Sequence, residues 1–313
     1  AFPDVSIPNP FTTIDALKKY QAIVGVSSVG NDTFSAARQQ PDGSVVNEQQ
    51  LLQNYLRQGG GFVALHGATD SMHTWEWYLD MVGGEFAGHG NNAPGMQPQC
   101  PSCNLAEVIT EDASHPATQG FEKTWTVLDE LYNFRSPPRQ RVHPLLLLND
   151  ATFARALGGN PGNLQGNAIP GAGPDHPIAW CQNFEGGRVF TQALTHNWEL
   201  SLDPKMQRSF LRAIEWAAGA VPGNCVTHRE VTRQIAAARS AGTLTADAAA
   251  RATSLVQAAY AKYLQKDYAA ATVDIDALRA LADAAESGDG MARAALSAKA
   301  QELKDWMTVL GRR

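Results

Sequence analysis

The amino-acid sequence predicts an α/β fold with a mostly parallel open sheet, followed by a small all-α bundle. Two observations predict it. Short apolar runs alternate with segments of helical periodicity, which is the order expected of strand–helix–strand units. After Pro222 the composition becomes Ala-rich, with apolar residues at helical spacing. We therefore expect an α/β domain over residues 1–222 and a helical module over residues 226–313.

The first elements form one such unit. The apolar run 22–26 predicts a buried strand, and apolar residues four apart over 48–58 predict a helix. Three glycines at 59–61 end that helix, and residues 62–65 form the next strand. Further on, we predict helices over 74–82 and 206–218, strands over 107–110, 142–148, 178–181 and 188–194, and loops over 90–104 and 158–175.

Four amphipathic helices are expected in the C-terminal module. Thr227 and Glu230 fit a capping box at its start, and Gly242 and Gly288 fall where helices should end. The apolar faces of these helices hold no cluster of titratable residues. The module therefore offers no chemistry of its own, and its partner is unknown.

Charge and hydropathy exclude two classes of partner. The net charge is −6 and the pI about 5.7, which argues against nucleic acid and anionic membrane surfaces. No run approaches the roughly 20 apolar residues of a membrane span. The sequence also has no phosphate-binding loop, dinucleotide fingerprint or G-x-S-x-G motif, so no nucleotide cofactor is expected.

The four cysteines suggest an oxidising compartment. Cys100 and Cys103 form a C-x-x-C pair, for which redox, zinc and disulfide roles are all open. A disulfide that pins a surface loop is the interpretation we favour, because no strand–helix pattern surrounds the pair. Cys181 follows an apolar run and is expected in the core.

Two histidines follow predicted parallel strands. His66 comes directly after 62–65, and His196 follows 188–194. Ligands gather beyond the carboxyl ends of such strands, so both imidazoles should face one crevice. Glu199, His89 and Glu130 are further candidates for acid/base work or metal binding. Alternatively, Glu199 is a first-turn helix carboxylate, Glu130 a solvated one and His66 a core histidine.

Aromatic residues lie close to these positions in the sequence. Sugar rings pair apolar C–H faces with hydroxyl rims, so sugar sites combine aromatic platforms with polar side chains. Most tryptophans belong to cores, however. The side chains that we assign to substrate binding are Asp70, Trp75, Tyr132 and Trp198.

Several blocks resemble the ThuA-like (trehalose-utilisation) family and occur in its order. They are GGGFVALHGATD at 59–70, WEWY at 75–78, VGG at 82–84, DASHPAT at 112–118, DELYNF at 129–134, HPIAWC at 176–181 and GGRVF at 186–190. The resemblance implies a class I glutamine-amidotransferase-like, flavodoxin-like topology. In amidotransferases a nucleophilic Cys occupies the place of His66, and a His and a Glu occupy those of His196 and Glu199. Because His66 offers no thiolate, amidotransferase chemistry should be absent.

The family is associated with 3-keto-glycoside processing, so the resemblance implies an enzyme that cleaves a glycoside by hydrolysis or elimination. His66 and His196 would act as acid and base or, with His89, bind a divalent metal, for which zinc is expected. Glu130 and Glu199 would assist. A non-catalytic carbohydrate-binding protein and a scaffold are the alternatives.

The C-terminal module carries a second resemblance. Its segment AGTLTAD at 241–247 and the helices after it resemble the FIMAH-type module of secreted bacterial enzymes, which implies an extracellular setting.

Overall fold

The computed structural model describes residues 9–89, 100, 102–136, 138–149, 152, 176–284 and 289–312. The predicted loop 158–175, Gly288 and most of the predicted loop 90–104 lie outside these ranges. At the end of the latter loop the prediction was wrong, because a strand already begins at Cys103.

The first part of the chain supplies the elements α1 Ile14–Leu17, β1 Ala22–Val26, β2 Arg38–Gln39, β3 Val45–Val46, α2 Glu48–Arg57, β4 Gly61–Leu65, α3 Glu76–Val82 and β5 Phe86–His89. Then follow β6 Cys103–Thr110, β7 Thr124–Glu130, β8 Tyr132–Phe134, β9 His143–Leu148, β10 His176–Phe184, β11 Gly187–Gln192, α4 Trp198–Ser201 and α5 Pro204–Ala217. The bundle consists of α6 His228–Ser240, α7 Ala246–Leu264, α8 Tyr268–Asp283 and α9 Gly290–Gly311.

In the described part of the chain, seven strands form one open sheet in the order β1-β4-β11-β10-β9-β6-β7. The pairs β1–β4 and β4–β11 are parallel, and the remaining neighbours are antiparallel. Followed across the sheet, five strands run in one direction, and β10 and β6 run in the other. The mostly parallel open sheet is thus confirmed. The carboxyl ends of β4, β11 and β7 meet at the same edge.

Strand β4 is buried on both faces because helices cover the sheet on both sides. Phe62 and Ala64 pack in the core that contains α2 and α3, whereas Val63 and Leu65 pack toward α5. A Cβ atom at Gly61 would lie 2.4 Å from the carbonyl oxygen of Ala217, so glycine permits the close approach of α5. This packing fixes the position at which β4 ends.

The sequence did not predict β5, β7 or β8. The first three residues of β7 are not buried, β8 has three residues, and β5 contains Gly88, so each lacks a clear strand pattern. His89 was expected on a loop. It is instead the last residue of β5, which pairs with β8 opposite Tyr132.

The four C-terminal helices enclose a separate apolar core, as predicted. Thr227 caps α6 by accepting the backbone N–H of Glu230 at 3.0 Å. The capping box is one-sided, because the Glu230 carboxylate accepts from Asn183 at 3.1 Å and pairs with Lys299 at 3.2 Å. Among the described helices, none is both long and apolar enough to span a membrane.

The bundle packs against the sheet edge opposite to the carboxyl ends of β4 and β11. Its contacts there reach His143 at the start of β9, Asn183 at the end of β10, and Glu111 just after β6. Glu111 accepts two hydrogen bonds from Arg139 and one, at 2.9 Å, from the hydroxyl of Tyr263. The bundle is therefore remote from the edge where the histidines lie.

Two disulfides are present. The Cys100–Cys103 disulfide agrees with the interpretation that we favoured. Cys181 is fully buried, as expected, but its sulfur is bonded to Cys225 in the segment that precedes α6. No local pattern indicated this pairing, because the two cysteines are 44 residues apart.

Candidate metal centre

His66 occupies a sharp turn between β4 and a short 3₁₀ helix over His66–Asp70. Its φ angle is 47°, in the left-handed region that side chains other than glycine rarely adopt. The ring is buried, and its Nδ1 lies 3.4 Å from the carbonyl oxygen of Ala193. Because a carbonyl can only accept, Nδ1 is the donor in this contact, and Nε2, when it carries no proton, presents a lone pair to the crevice.

His196 lies beyond the end of β11, the parallel neighbour of β4. The residue before it, Thr195, also has an unusual backbone, with a φ angle of 84°. The buried carboxylate of Asp129 accepts the backbone N–H of Thr195 and, at 2.7 Å, that of Asn197. The segment is thereby held on both sides of His196. The two histidines converge as the sequence predicted, with ring centroids 5.1 Å apart.

The third member of the cluster is Glu130, at the end of β7. Nε2 of His66 lies 3.1 Å from Nδ1 of His196 and 3.2 Å from Oε2 of Glu130. Nδ1 of His196 lies 3.2 Å from the same Glu130 oxygen. These three atoms form a nearly equilateral triangle.

The electrostatics of Glu130 favour its charged form. Burial acts to raise the pKa of Glu130, but hydrogen bonds from His66 and Ser102 and the charges of His89 and His196 outweigh it and lower the pKa to about 2. Glu130 is therefore a carboxylate at any pH near neutrality. The alternative interpretation of Glu130 as a solvated carboxylate was wrong, because the side chain is buried.

Tyr132 completes the floor of the crevice. Its hydroxyl lies 2.9 Å from Nε2 of His66, and its backbone carbonyl accepts from Nε2 of His176 at 2.7 Å. Burial, followed by the charges of Glu130 and Asp70, raises the pKa of Tyr132. The phenol therefore keeps its proton and can donate a hydrogen bond.

Of the predicted residues around the cluster, His89 contacts Glu130 directly and Asp70 does not. Nε2 of His89 lies 3.4 Å from Oε1 of Glu130, the oxygen that points away from the triangle. Asp70 lies farther out, with Oδ1 at 3.0 Å from Nε2 of His73. Burial raises the pKa of Asp70, although the hydrogen bond from His73 opposes it. Nδ1 of His73 in turn lies 3.3 Å from Oε1 of Glu85.

Three predicted residues do not join the cluster. Glu199 is exposed in the first turn of α4, as our alternative interpretation had it. Trp75 stacks on Trp77 at 5.1 Å and packs on the apolar core of the domain. Trp198 is 65% exposed beside His196, so its indole is open to solvent at the rim.

The donor set of the triangle fits a divalent metal. Zinc bonds to imidazole nitrogen at about 2.0–2.1 Å, so neighbouring ligands of a tetrahedral zinc lie about 3.3 Å apart. The observed edges are 3.1 to 3.2 Å. His66, Glu130 and His196 can thus hold one ion and leave a position open. The predicted ligand set included His89, which in the structure contacts the far oxygen of Glu130 instead.

Sequence reasoning missed the part played by Asp129, which it named only within the block DELYNF at 129–134. The signal available was its place directly before Glu130 at the end of a strand. Without β7 in the prediction, nothing indicated that the two carboxylates differ. In the structure Glu130 faces the histidines, and Asp129 faces backbone N–H groups.

One family model and several solved structures are similar to this chain. The family model described as ThuA, trehalose utilisation, matches residues 4–217. A ThuA-like protein from Bacteroides uniformis is 21% identical, with 66% of this chain and 72% of that one covered and a TM-score of 0.47. One from Parabacteroides merdae is 19% identical, with 66% and 75% covered and a TM-score of 0.44.

A β-galactosidase from Bacillus circulans is 10% identical, covers 66% of this chain and 25% of that one, and has a TM-score of 0.37. No curated protein is significantly similar to the chain. The family match spans more than half of the chain and connects it with carbohydrate-related function. On this evidence the chain belongs to the ThuA family.

Proposed function

We propose that this protein is a metal-dependent carbohydrate-active enzyme that cleaves a glycoside or 3-keto-glycoside. The observation that carries the proposal is the triangle of lone-pair atoms from His66, Glu130 and His196, whose edges of 3.1 to 3.2 Å match a tetrahedral zinc site. Two imidazoles and one carboxylate with an open position form a catalytic rather than a structural donor set. A bound zinc would supply Lewis acidity at a substrate oxygen or water.

The chain's own residues would then handle protons and orientation. Tyr132 keeps its phenolic proton and lies 2.9 Å from Nε2 of His66, so it can donate to an oxygen that gains negative charge. His89 is the imidazole next to the triangle and is placed to take up or release a proton. In hydrolysis, water adds across the glycosidic C–O bond. In elimination from a 3-keto-glycoside, the proton at C2 is removed and the C1–O bond breaks.

The rim of the crevice suits a sugar ring. The side chain of His196 is 42% exposed, so the triangle is open to solvent on that side. Trp198 lies two residues further on and exposes 65% of its surface. An exposed indole beside a polar cluster offers a platform for the C–H face of a pyranose, and we assign it that role.

An extracellular location is part of the proposal. Two disulfides within the described residues support it, because disulfides persist in oxidising compartments.

The test combines metal analysis with activity. Elemental analysis of the purified protein should find about one zinc per chain, and a screen of glycosides and their 3-keto forms should yield product. His66→Ala, His196→Ala and Glu130→Gln should lose both metal and turnover, whereas Glu122→Gln, an exposed carboxylate paired with Lys205, should keep both. Solvent oxygen in the sugar product would indicate hydrolysis, and an unsaturated ketone would indicate elimination. Saturable sugar binding without product on long incubation would reject the proposal in favour of a binding protein.

A further inference from the structure

We infer that Asp129 is a positioning residue that holds two of the three metal-binding side chains in register, an inference that rests on the proposed function. Asp129 touches neither the crevice nor the lone-pair triangle. Its carboxylate is fully buried and accepts backbone N–H groups from both segments that bring ligands to the site. Its role would therefore be exerted through His196 and Glu130.

The first segment held by Asp129 is the one that carries His196. The backbone N–H groups of Thr195 and Asn197 both point to this carboxylate, the latter at 2.7 Å. His196 lies between them, so the peptide group that precedes Thr195 and the one that follows His196 are both fixed. The Asn197 side chain adds a hydrogen bond to the carbonyl of Leu128 at 3.2 Å, which ties the same turn to β7.

This segment needs a strong anchor because its backbone is strained. Thr195 is β-branched and has a φ angle of 84°, a conformation that persists only when its surroundings enforce it. Burial raises the pKa of Asp129, although the N–H groups of Asn197 and Thr195 act to lower it. The anchor is therefore identified by geometry: both oxygens of the Asp129 side chain accept backbone N–H groups of this turn, which keeps Thr195 in its conformation and directs the His196 ring towards the cluster.

The second segment held by Asp129 is its own strand end. The backbone N–H of Glu130 lies 2.9 Å from Oδ1 of Asp129. The same oxygen accepts from Asn197, so one atom joins the two ligand-bearing backbones. A substitution at this atom should therefore shift His196 and Glu130 relative to each other. Because side chains that orient metal ligands typically change metal affinity about 10- to 100-fold, the shift should weaken metal binding.

The test is Asp129→Asn, which keeps the size of the side chain but turns one oxygen into a donor that faces N–H groups. Zinc affinity should fall about 10- to 100-fold, measured by competition with a chelator. Asp112→Asn is the matched control. Asp112 is equally buried and accepts from Ser114 and His143, but it lies at the opposite edge of the sheet. The Asp112→Asn variant should be less stable than the wild type, but its zinc affinity should be unchanged.

A readout without metal separates the inference from the proposed function. In metal-free protein, Asp129→Asn should speed amide exchange at Thr195 and Asn197 and shift the NMR titration of the His196 ring, and Asp112→Asn should change neither. If the wild type binds no zinc, the proposed function fails and the ring titration still tests the positioning role. Unchanged titration and exchange in Asp129→Asn would overturn the inference. Should that variant not fold, Asn197→Ala loosens the same turn, and it should weaken zinc binding several-fold.

Discussion

His143 stacks on Trp306, and this contact joins the sheet to the last helix of the bundle. The ring centroids are 4.0 Å apart with an interplanar angle of 29°. Nδ1 of His143 lies 3.0 Å from the carbonyl oxygen of Val226, and Nε2 lies 2.9 Å from Oδ2 of Asp112. A single buried imidazole thus contacts the sheet, the connecting segment and α9. The bundle is therefore part of the folded unit rather than an appendage.

Removing the indole of Trp306 should make the protein less stable. Trp306 is 2% exposed and belongs to the apolar core of the bundle. Trp306→Ala should lower the free energy of unfolding by about 3–5 kcal/mol, through lost burial and the cavity that remains. Urea denaturation measures it. Met291→Ala, on the same helix but 78% exposed, should stay within about 0.5 kcal/mol of the wild type. Equal effects of the two substitutions would contradict the proposed packing.

Asp112 should make stability depend on pH at the acid end. Burial acts to raise the pKa of Asp112, but hydrogen bonds from His143 and Ser114 outweigh it and hold the pKa well below its usual range. A lowered pKa contributes stability above the unfolded value of about 3.9, and that contribution is lost as pH falls further. The difference in unfolding free energy between wild type and Asp112→Asn should thus be largest near neutral pH and shrink below about pH 4.

Denaturant titrations at several pH values measure this difference. Asp42→Asn serves as the control, because its carboxylate is exposed and accepts hydrogen bonds from Ser44. These bonds lower the pKa of Asp42 as well, but solvent screens an exposed group, so its effect on the pH profile of unfolding should be much smaller. A constant difference between wild type and Asp112→Asn from pH 3 to pH 7 would speak against a native ion pair with His143.

The long-range disulfide should stabilise the protein more than the short one. Cys181 and Cys225 close a loop with a sequence separation of 44, whereas Cys100 and Cys103 are 3 apart. The loss of loop-closure entropy in the unfolded chain predicts about 4 kcal/mol for the first and roughly 2 kcal/mol for the second. Thermal unfolding of Cys181→Ala/Cys225→Ala and Cys100→Ala/Cys103→Ala compares them. A larger loss in the second variant would contradict the ranking.

The parts of the fold that the sequence predicted share one physical property. Strand β4 is buried on both faces and α2 is amphipathic, so their apolar patterns are continuous and local. The edge strand β7 begins outside the core and β5 is only half-buried, whereas β8 is buried but has just three residues, so none of them shows a clear local pattern. Their pairing is decided by neighbours distant in the sequence, which no local pattern reveals.

The site residues, too, divide into those that a local sequence pattern predicts and those that depend on distant parts of the chain. His66 and His196 were predictable because each follows a strand whose end the sequence marks, and parallel strands bring their carboxyl ends to one edge. Glu130 was found only as a candidate, since its strand was not recognised. Asp129 acts through backbone N–H groups of residues 195 and 197, and this depends on a turn conformation that the sequence does not encode visibly.

The hydroxyl of Ser209 should lower the stability of the protein rather than raise it. Ser209 lies on the buried face of α5 with 3% exposure, and its Oγ has no hydrogen-bond partner among the described residues. Burying an unpaired hydroxyl costs about 1–3 kcal/mol, and alanine also favours the helix. Ser209→Ala should therefore raise the free energy of unfolding by about 1 kcal/mol, as measured in urea.

Thr191 provides the matched comparison, because its buried hydroxyl donates to the carbonyl of Val82 at 2.8 Å. Thr191→Val removes a hydroxyl of the same kind and with it one of two hydrogen bonds to that carbonyl, the other of which comes from the Trp180 indole at 2.7 Å. It should therefore lower the free energy of unfolding by about 1 kcal/mol. Opposite signs for the two substitutions would show that hydrogen bonding, rather than the burial of a hydroxyl as such, decides the effect. If Ser209→Ala is as destabilising as Thr191→Val, the Ser209 hydroxyl has a partner, such as an ordered water, and the prediction is wrong.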